Sequence, residues 1–220
     1  MANIITIAYT TEGSTDKRFL ESIIKKTFEE IAIKCEGSIE VYDPVYIKPN
    51  KNGTFIDNAE LLLKEAFEIG SNVVCFHIDA DDTNDHAVFQ YKVEPINDLI
   101  EILGDDICKN VVSIVPVRMS EAWMLADKIL LKEEIGTVKT DAQLNINKHS
   151  ETIADPKELI VEALRIAQDN LPKRRNRITI NELYQPIGQR VSIIELEKLP
   201  SFQKFKASVE AAFIKLNFLH

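Results

Sequence analysis

Apolar and polar positions along the chain follow two different periods, and the switches between them mark out strands and helices in turn. Residues 3–9 form a short β-branched run, Asn-Ile-Ile-Thr-Ile-Ala-Tyr, which predicts a strand. Past a turn at Glu12-Gly13-Ser14, the residues Phe19, Leu20, Ile23, Ile24, Phe28 and Ile31 recur every three or four positions, which predicts a helix with Thr15 as its N-cap. A second strand is expected within 39–47. It gives way to Lys48-Pro49-Asn50-Lys51-Asn52-Gly53, where proline and Asn-Gly mark a polar loop ahead of a helix at about 57–69. The run Val73-Val74-Cys75-Phe76-His77-Ile78 is continuously apolar and suits a central strand covered on both faces.

That strand ends in Asp79-Ala80-Asp81-Asp82. A helix is expected over 86–103, kinked or restarted at Pro95, then a strand over 111–117, then a helix beginning Glu121-Ala122-Trp123 and capped by Ser120. Strands and helices alternating at these lengths predict an α/β fold, a mostly parallel sheet with right-handed crossovers. From about residue 135 the pattern changes to a polar stretch, a helix near 156–170, a basic loop at 173–177 and two further helical segments. The expected organisation is an α/β core over 1–134 and a helical C-terminal extension over 135–220 packed on it, without internal repeats.

Composition narrows the function classes. With 220 residues, of which 45% are hydrophobic, the chain can bury a substantial core. The N-terminal apolar run has no basic flank and is too short for a signal peptide. No stretch approaches the length of a membrane helix, so a cytoplasmic protein without membrane partners is expected. A net charge of −9 disfavours non-specific coating of nucleic acid and requires that any nucleic-acid substrate be met by bridging cations or a local basic patch. Cys35, Cys75 and Cys108 are widely spaced and odd in number, which suggests packed thiols rather than a disulfide framework or a zinc site.

The candidate chemistry lies in carboxylates. In an open parallel sheet the carboxyl ends of the strands share one edge, where ligands bind. Glu12 follows the first strand, Asp79 and Asp81 the third and Glu121 the fourth, so the topology brings all four to that edge. Carboxylates brought together repel one another, and a hard divalent cation removes that cost. Mg²⁺, or Mn²⁺ in its place, is therefore the expected cofactor. With Glu121 added, a second ion could be held, as two-metal phosphodiester cleavage requires. The plainer reading is that acidic residues after strands are caps and solvated turns, which fits Asp82 to Asp85 well.

Other candidates carry less. His77 reads as a hydrogen-bonded core residue and Trp123 as core. Lys173, Arg174, Arg175 and Arg177 form the basic cluster best suited to phosphate in an otherwise acidic chain, although such runs are usually just solvated. Lys17, Arg18 and Arg118 lie near the carboxylates and could contact phosphate.

The segments Tyr9-Thr10-Thr11-Glu12-Gly13-Ser14-Thr15-Asp16 and His77-Ile78-Asp79-Ala80-Asp81-Asp82 resemble the TOPRIM superfamily of topoisomerases, primases and nucleases over about the first 130 residues. A closer likeness, over nearly the whole chain, is to an uncharacterised bacterial TOPRIM-like family, domain of unknown function 4276. It is carried by Glu121-Ala122-Trp123-Met124-Leu125-Ala126-Asp127, Asp155-Pro156-Lys157, Tyr184 and Ser201-Phe202-Gln203-Lys204-Phe205. The resemblance implies a Rossmann-like TOPRIM core, with Glu12 as general acid or base or as a metal ligand. Asp79 and Asp81 would be Mg²⁺ ligands and Glu121 a further one. It also implies a nuclease-like role in bacterial anti-phage defence beside a separate ATPase, since this sequence has no glycine-rich phosphate loop with a lysine. The expected function is Mg²⁺-dependent phosphoryl transfer on DNA or RNA, with a homodimer as a further expectation. A non-catalytic regulatory subunit and a nucleotide-sugar-binding glycosyltransferase-like domain are the alternatives.

Overall fold

The computed structural model of the protein describes residues 3–169 and 177–219. Two short strands, β1 (Asn3–Ile5) and β2 (Ile7–Thr10), stand where the sequence predicts one. Thr6 makes the break. Its N–H donates to Asn72 Oδ1 at 2.9 Å, and its carbonyl accepts the backbone N–H groups of Asn72 and Val73. The helix α1 (Ser14–Ala32) follows, with Gly13 rather than Thr15 at its N-cap.

The second expected strand is likewise divided, into β3 (Ile39–Val41) and β4 (Val45–Tyr46). Ile5 pairs with Val41 but Ala8 with Val45, so the edge carries one extra residue around Pro44, which has no N–H to give the ladder. α2 (Phe55–Glu68) opens on a capping box in which Thr54 and Asp57 bond each other's backbone N–H. β5 (Val73–His77) leads to α3 (His86–Val88), a π turn (Phe89–Val93) and α4 (Glu94–Leu103). The widened turn ends one residue short of Pro95, which lacks the N–H that a regular helix would use there. β6 (Val111–Ile114) completes a four-stranded parallel sheet in the order β4-β2-β5-β6, while β1 and β3, which precede β2 and β4 in the chain, form a separate parallel pair.

Both faces of the sheet are covered, as the apolar run of β5 demands. Ala8, Val74 and Phe76 pack with Leu62, Leu63, Ile96 and Leu99 of α2 and α4. Ile7, Tyr9, Val73, Cys75, Val112 and Ile114 pack on the other face with α1 and the C-terminal half of the chain.

That half contains α5 (Glu121–Met124), α6 (Lys128–Ile135), α7 (Pro156–Ala167), α8 (Tyr184–Arg190), α9 (Ile193–Leu196) and α10 (Pro200–Lys215). The helix expected from Glu121 is thus two, with Asp127 accepting Leu130 N–H at 3.0 Å to start the second. Trp123, Tyr184, Phe202, Phe205 and Phe213 share one buried cluster with Tyr9 and Phe19, so the extension forms the outer layer of the sheet's second face. Trp123 meets Phe202 edge-on at 5.2 Å and donates its indole N–H to Ser201 Oγ at 2.7 Å. α8 crosses α1 so closely that a Cβ on Gly188 would lie 2.2 Å from the Phe19 carbonyl oxygen.

The three cysteines are free thiols, Cys75 and Cys108 buried and Cys35 partly so. Among the described residues no helix is long and apolar enough to cross a membrane.

Candidate functional site at the carboxyl edge of the sheet

β2 and β5 are neighbours, but the chain leaves them in opposite directions, from β2 to β4 on one side and from β5 to β6 on the other. Such a reversal opens a crevice beyond the carboxyl ends of the two strands. Thr10 ends one strand and His77 the other, so Glu12 and Asp79 flank the crevice.

Asp79 is the fixed point. Its Oδ1 accepts the Ser120 backbone N–H at 3.0 Å and lies 3.1 Å from His77 Nε2, while Ser120 Oγ lies 2.9 Å from the same nitrogen. The Ser120 hydroxyl therefore serves the site and does not cap the following turn, as the sequence suggests it should. His77 is fully enclosed, and its Nδ1 has no hydrogen-bond partner among the described residues. Burial alone would lower its pKa. The hydrogen bond and charge of Asp79, with the charges of Asp16 and Glu12, outweigh burial and raise it. The sequence reading of His77 as a hydrogen-bonded core residue holds, but its partner is the predicted metal ligand.

Asp16 was not singled out by sequence reasoning, although it ends the Glu12-Gly13-Ser14-Thr15-Asp16 motif. It sits in the first turn of α1, 8% exposed, with Oδ2 folded back to within 2.6 Å of where a Cβ on Gly13 would be. Burial pushes its carboxyl pKa up and the Asp79 charge adds to this, against His77, the Ser120 hydroxyl and the Gly13 N–H. A Cβ at position 13 would have to push that carboxyl aside, so the glycine leaves Asp16 free to fold back over the helix start.

The remaining predicted residues fall into different settings. Glu12 is exposed and pairs with Lys92 of the π turn at 3.3 Å. Asp81 is also exposed and adopts the left-handed region, φ 53°, as does Arg118, φ 67°. Asp81 N–H donates to the Arg118 carbonyl at 2.9 Å, and Arg118 N–H to the Asp82 carbonyl at 3.1 Å, so the loops after β5 and β6 are stapled together. Arg118 Nε is buried without a partner among the described residues. Glu121 is buried, accepts the Tyr184 hydroxyl and has Lys157 Nζ at 3.7 Å. Burial and that carboxylate push the Tyr184 phenol pKa up, so Tyr184 keeps its proton and acts as a donor.

Lys17 stands 4.6 Å above the Tyr46 ring. Arg18 is turned toward the C-terminal half, donating to the Asn181 carbonyl at 2.9 Å. Arg177 is exposed, whereas Lys173, Arg174 and Arg175 lie outside the described residues.

The structure thus joins Asp16, His77, Asp79 and Ser120, sets Glu12 within charge range of them, and turns Glu121 toward Tyr184. Among the described residues no three His, Cys, Asp or Glu side chains converge closely enough to ligate one ion. The donor set nonetheless has the chemistry of a Mg²⁺ site, because that ion keeps several waters and needs only one or two carboxylates, and because the neighbouring carboxylates Asp16 and Asp79 have no lysine or arginine ion-pair partner among the described residues. Comparison of the chain with protein-family models, with curated proteins and with solved structures yields no match, so the reading of the site rests on these residues.

Proposed function

We propose that the protein is a Mg²⁺-dependent phosphoryl-transfer enzyme, a nuclease acting on DNA or RNA, with its site in the crevice between β2 and β5. The observation that carries this reading is a pair of acidic side chains, buried Asp16 and hydrogen-bonded Asp79, at the switch point of a parallel sheet without a lysine or arginine to neutralise them among the described residues. The order of Glu12-Gly13 after β2 and Asp79-Ala80-Asp81 after β5 supports the same view. The finer assignment of this α/β fold to the TOPRIM superfamily is part of the proposal.

Asp79 and Asp16 would hold the ion, with Asp81 and Glu12 reaching it from the rim. A bound Mg²⁺ would neutralise phosphate oxygens and stabilise charge developing on them. Ser120 N–H and His77 engage Oδ1 of Asp79, and the ion would be met by its other oxygen. Glu12, exposed at the rim and paired with Lys92, would serve as general acid or base at the reacting phosphate. Arg118, in the loop stapled to Asp81 and Asp82, would meet a phosphate oxygen with its guanidinium. In this reading the enzyme works beside a separate ATPase subunit in anti-phage defence.

Titration calorimetry with Mg²⁺ and Mn²⁺ on the wild type and on the Asp79→Ala/Asp81→Ala double variant, with DNA and RNA cleavage measured in the same buffers, tests the proposal. Binding and cleavage that both vanish in the variant support it. No metal binding by the wild type overturns it and puts a non-catalytic subunit in its place.

A further inference from the structure

Beside the carboxylates lies a cleft of about 250 Å³ to which the phosphoryl-transfer reading assigns no occupant. Its walls are apolar, from Pro49, Phe55, Ala59 and Phe76, and Glu12 and His77 also line it. Pro49 belongs to the β4–α2 loop, where Lys48 and Lys51 stand exposed on either side of it in the chain, and neither makes an ion pair among the described residues. Lys92 completes the setting, with Nζ 5.6 Å from the centre of the Phe55 ring and 3.3 Å from Glu12. An otherwise acidic protein therefore places Lys92 beside one small aromatic-walled cleft next to its candidate catalytic edge, with Lys48 and Lys51 exposed in the loop that gives the cleft its Pro49 wall.

We infer that this cleft receives one unpaired base of a single-stranded nucleic acid, stacked on Phe55, while Lys48, Lys51 and Lys92 hold the flanking phosphates. The inference rests on the nuclease reading and names its substrate class. The volume suits one ring system and is below that of clefts built for larger ligands. A base in a duplex is stacked and paired and would have to be flipped out to enter, whereas a base in a single strand is free to do so. Stacking tolerates any base, because each has a π face, so the site selects strandedness and not sequence. Seating the base here sets the adjoining phosphate beside Glu12, where the phosphate competes for Lys92.

Fluorescence anisotropy with labelled single-stranded and blunt duplex oligonucleotides of equal length, in EDTA, tests this independently of catalysis. Wild type should prefer the single strand, Phe55→Ala should weaken that binding at least about fivefold and Phe55→Trp should retain it. Lys48→Glu/Lys51→Glu, confined to exposed side chains, should weaken it and flatten its salt dependence. Equal affinity for the two forms, no binding at all, or unchanged single-strand binding by Phe55→Ala and the double lysine variant overturns the inference. Cleavage of duplex by a wild type without single-strand preference would sink the cleft and leave the metal site. Single-strand preference with no metal binding would do the reverse.

Discussion

The backbone N–H of Ser120 donates to Oδ1 of Asp79 at 3.0 Å, tying the loop after β6 to the loop after β5 at the edge where the candidate site lies. Because the donor is backbone, replacing Ser120 leaves it in place, while replacing Asp79 removes the charge it orients. Asp79→Asn should fold normally and bind Mg²⁺ at least about tenfold more weakly, and Ser120→Ala should lose less. Titration calorimetry on the two variants checks this ordering, and a larger loss in Ser120→Ala would contradict it.

Asp16 is expected to trade stability for function. Its carboxylate is buried beside Asp79, and both the lost hydration and the neighbouring charge oppose ionisation. Asp16→Asn keeps the shape and removes the charge, so in EDTA at neutral pH it should raise stability by about 1 kcal/mol, or roughly 2–4 °C in Tm for a chain of this size. The same variant should weaken Mg²⁺ binding. Thermal unfolding with and without the ion measures both effects, and a variant less stable than wild type in EDTA would refute the assignment.

Gly188 inverts an ordinary rule. Alanine is preferred over glycine inside a helix by about 1 kcal/mol. At this point of α8, however, a methyl group would lie 2.2 Å from the Phe19 carbonyl oxygen, and the obstacle is backbone that cannot rotate away. Gly188→Ala should therefore force α8 off α1 and destabilise by about 2–4 kcal/mol in urea unfolding.

Lys206 of α10 supplies the pH-dependent case. It donates to Glu30 of α1 at 2.6 Å and also to Glu197, joining three parts of the second face. Burial lowers its pKa, but the hydrogen bonds it donates to Glu197 and Glu30 and the charges of those carboxylates more than offset this, and the net shift is upward. A raised lysine pKa means that the folded state holds the proton more tightly than the unfolded chain. The stabilisation is therefore complete below the ordinary value of 10.5 and fades as pH rises through the higher folded value. Lys206→Met should cost about 1–3 kcal/mol at pH 7, and its gap from wild type should narrow in strongly alkaline buffer. A gap that is constant with pH would show that the lysine acts through packing alone.

What the sequence determined by itself was whatever depends on local chemistry. The apolar run at β5, the three- and four-residue spacing in α1 and the order of strands and helices specify a parallel α/β sheet, because burial on both faces and helical periodicity are written directly into residue type. The placement of Glu12 and Asp79 at one edge follows from that topology alone. The tertiary structure decided what depends on neighbours distant in sequence. Thr6 breaks its strand because Asn72 competes for its backbone groups. Ser120 leaves its cap because His77 and Asp79 lie opposite. Arg18 turns toward Asn181 and Glu121 toward Tyr184, contacts made 163 and 63 residues along the chain. Asp16 looks like any first-turn helix acid until folding brings Asp79 beside it, and no local pattern carries that distance.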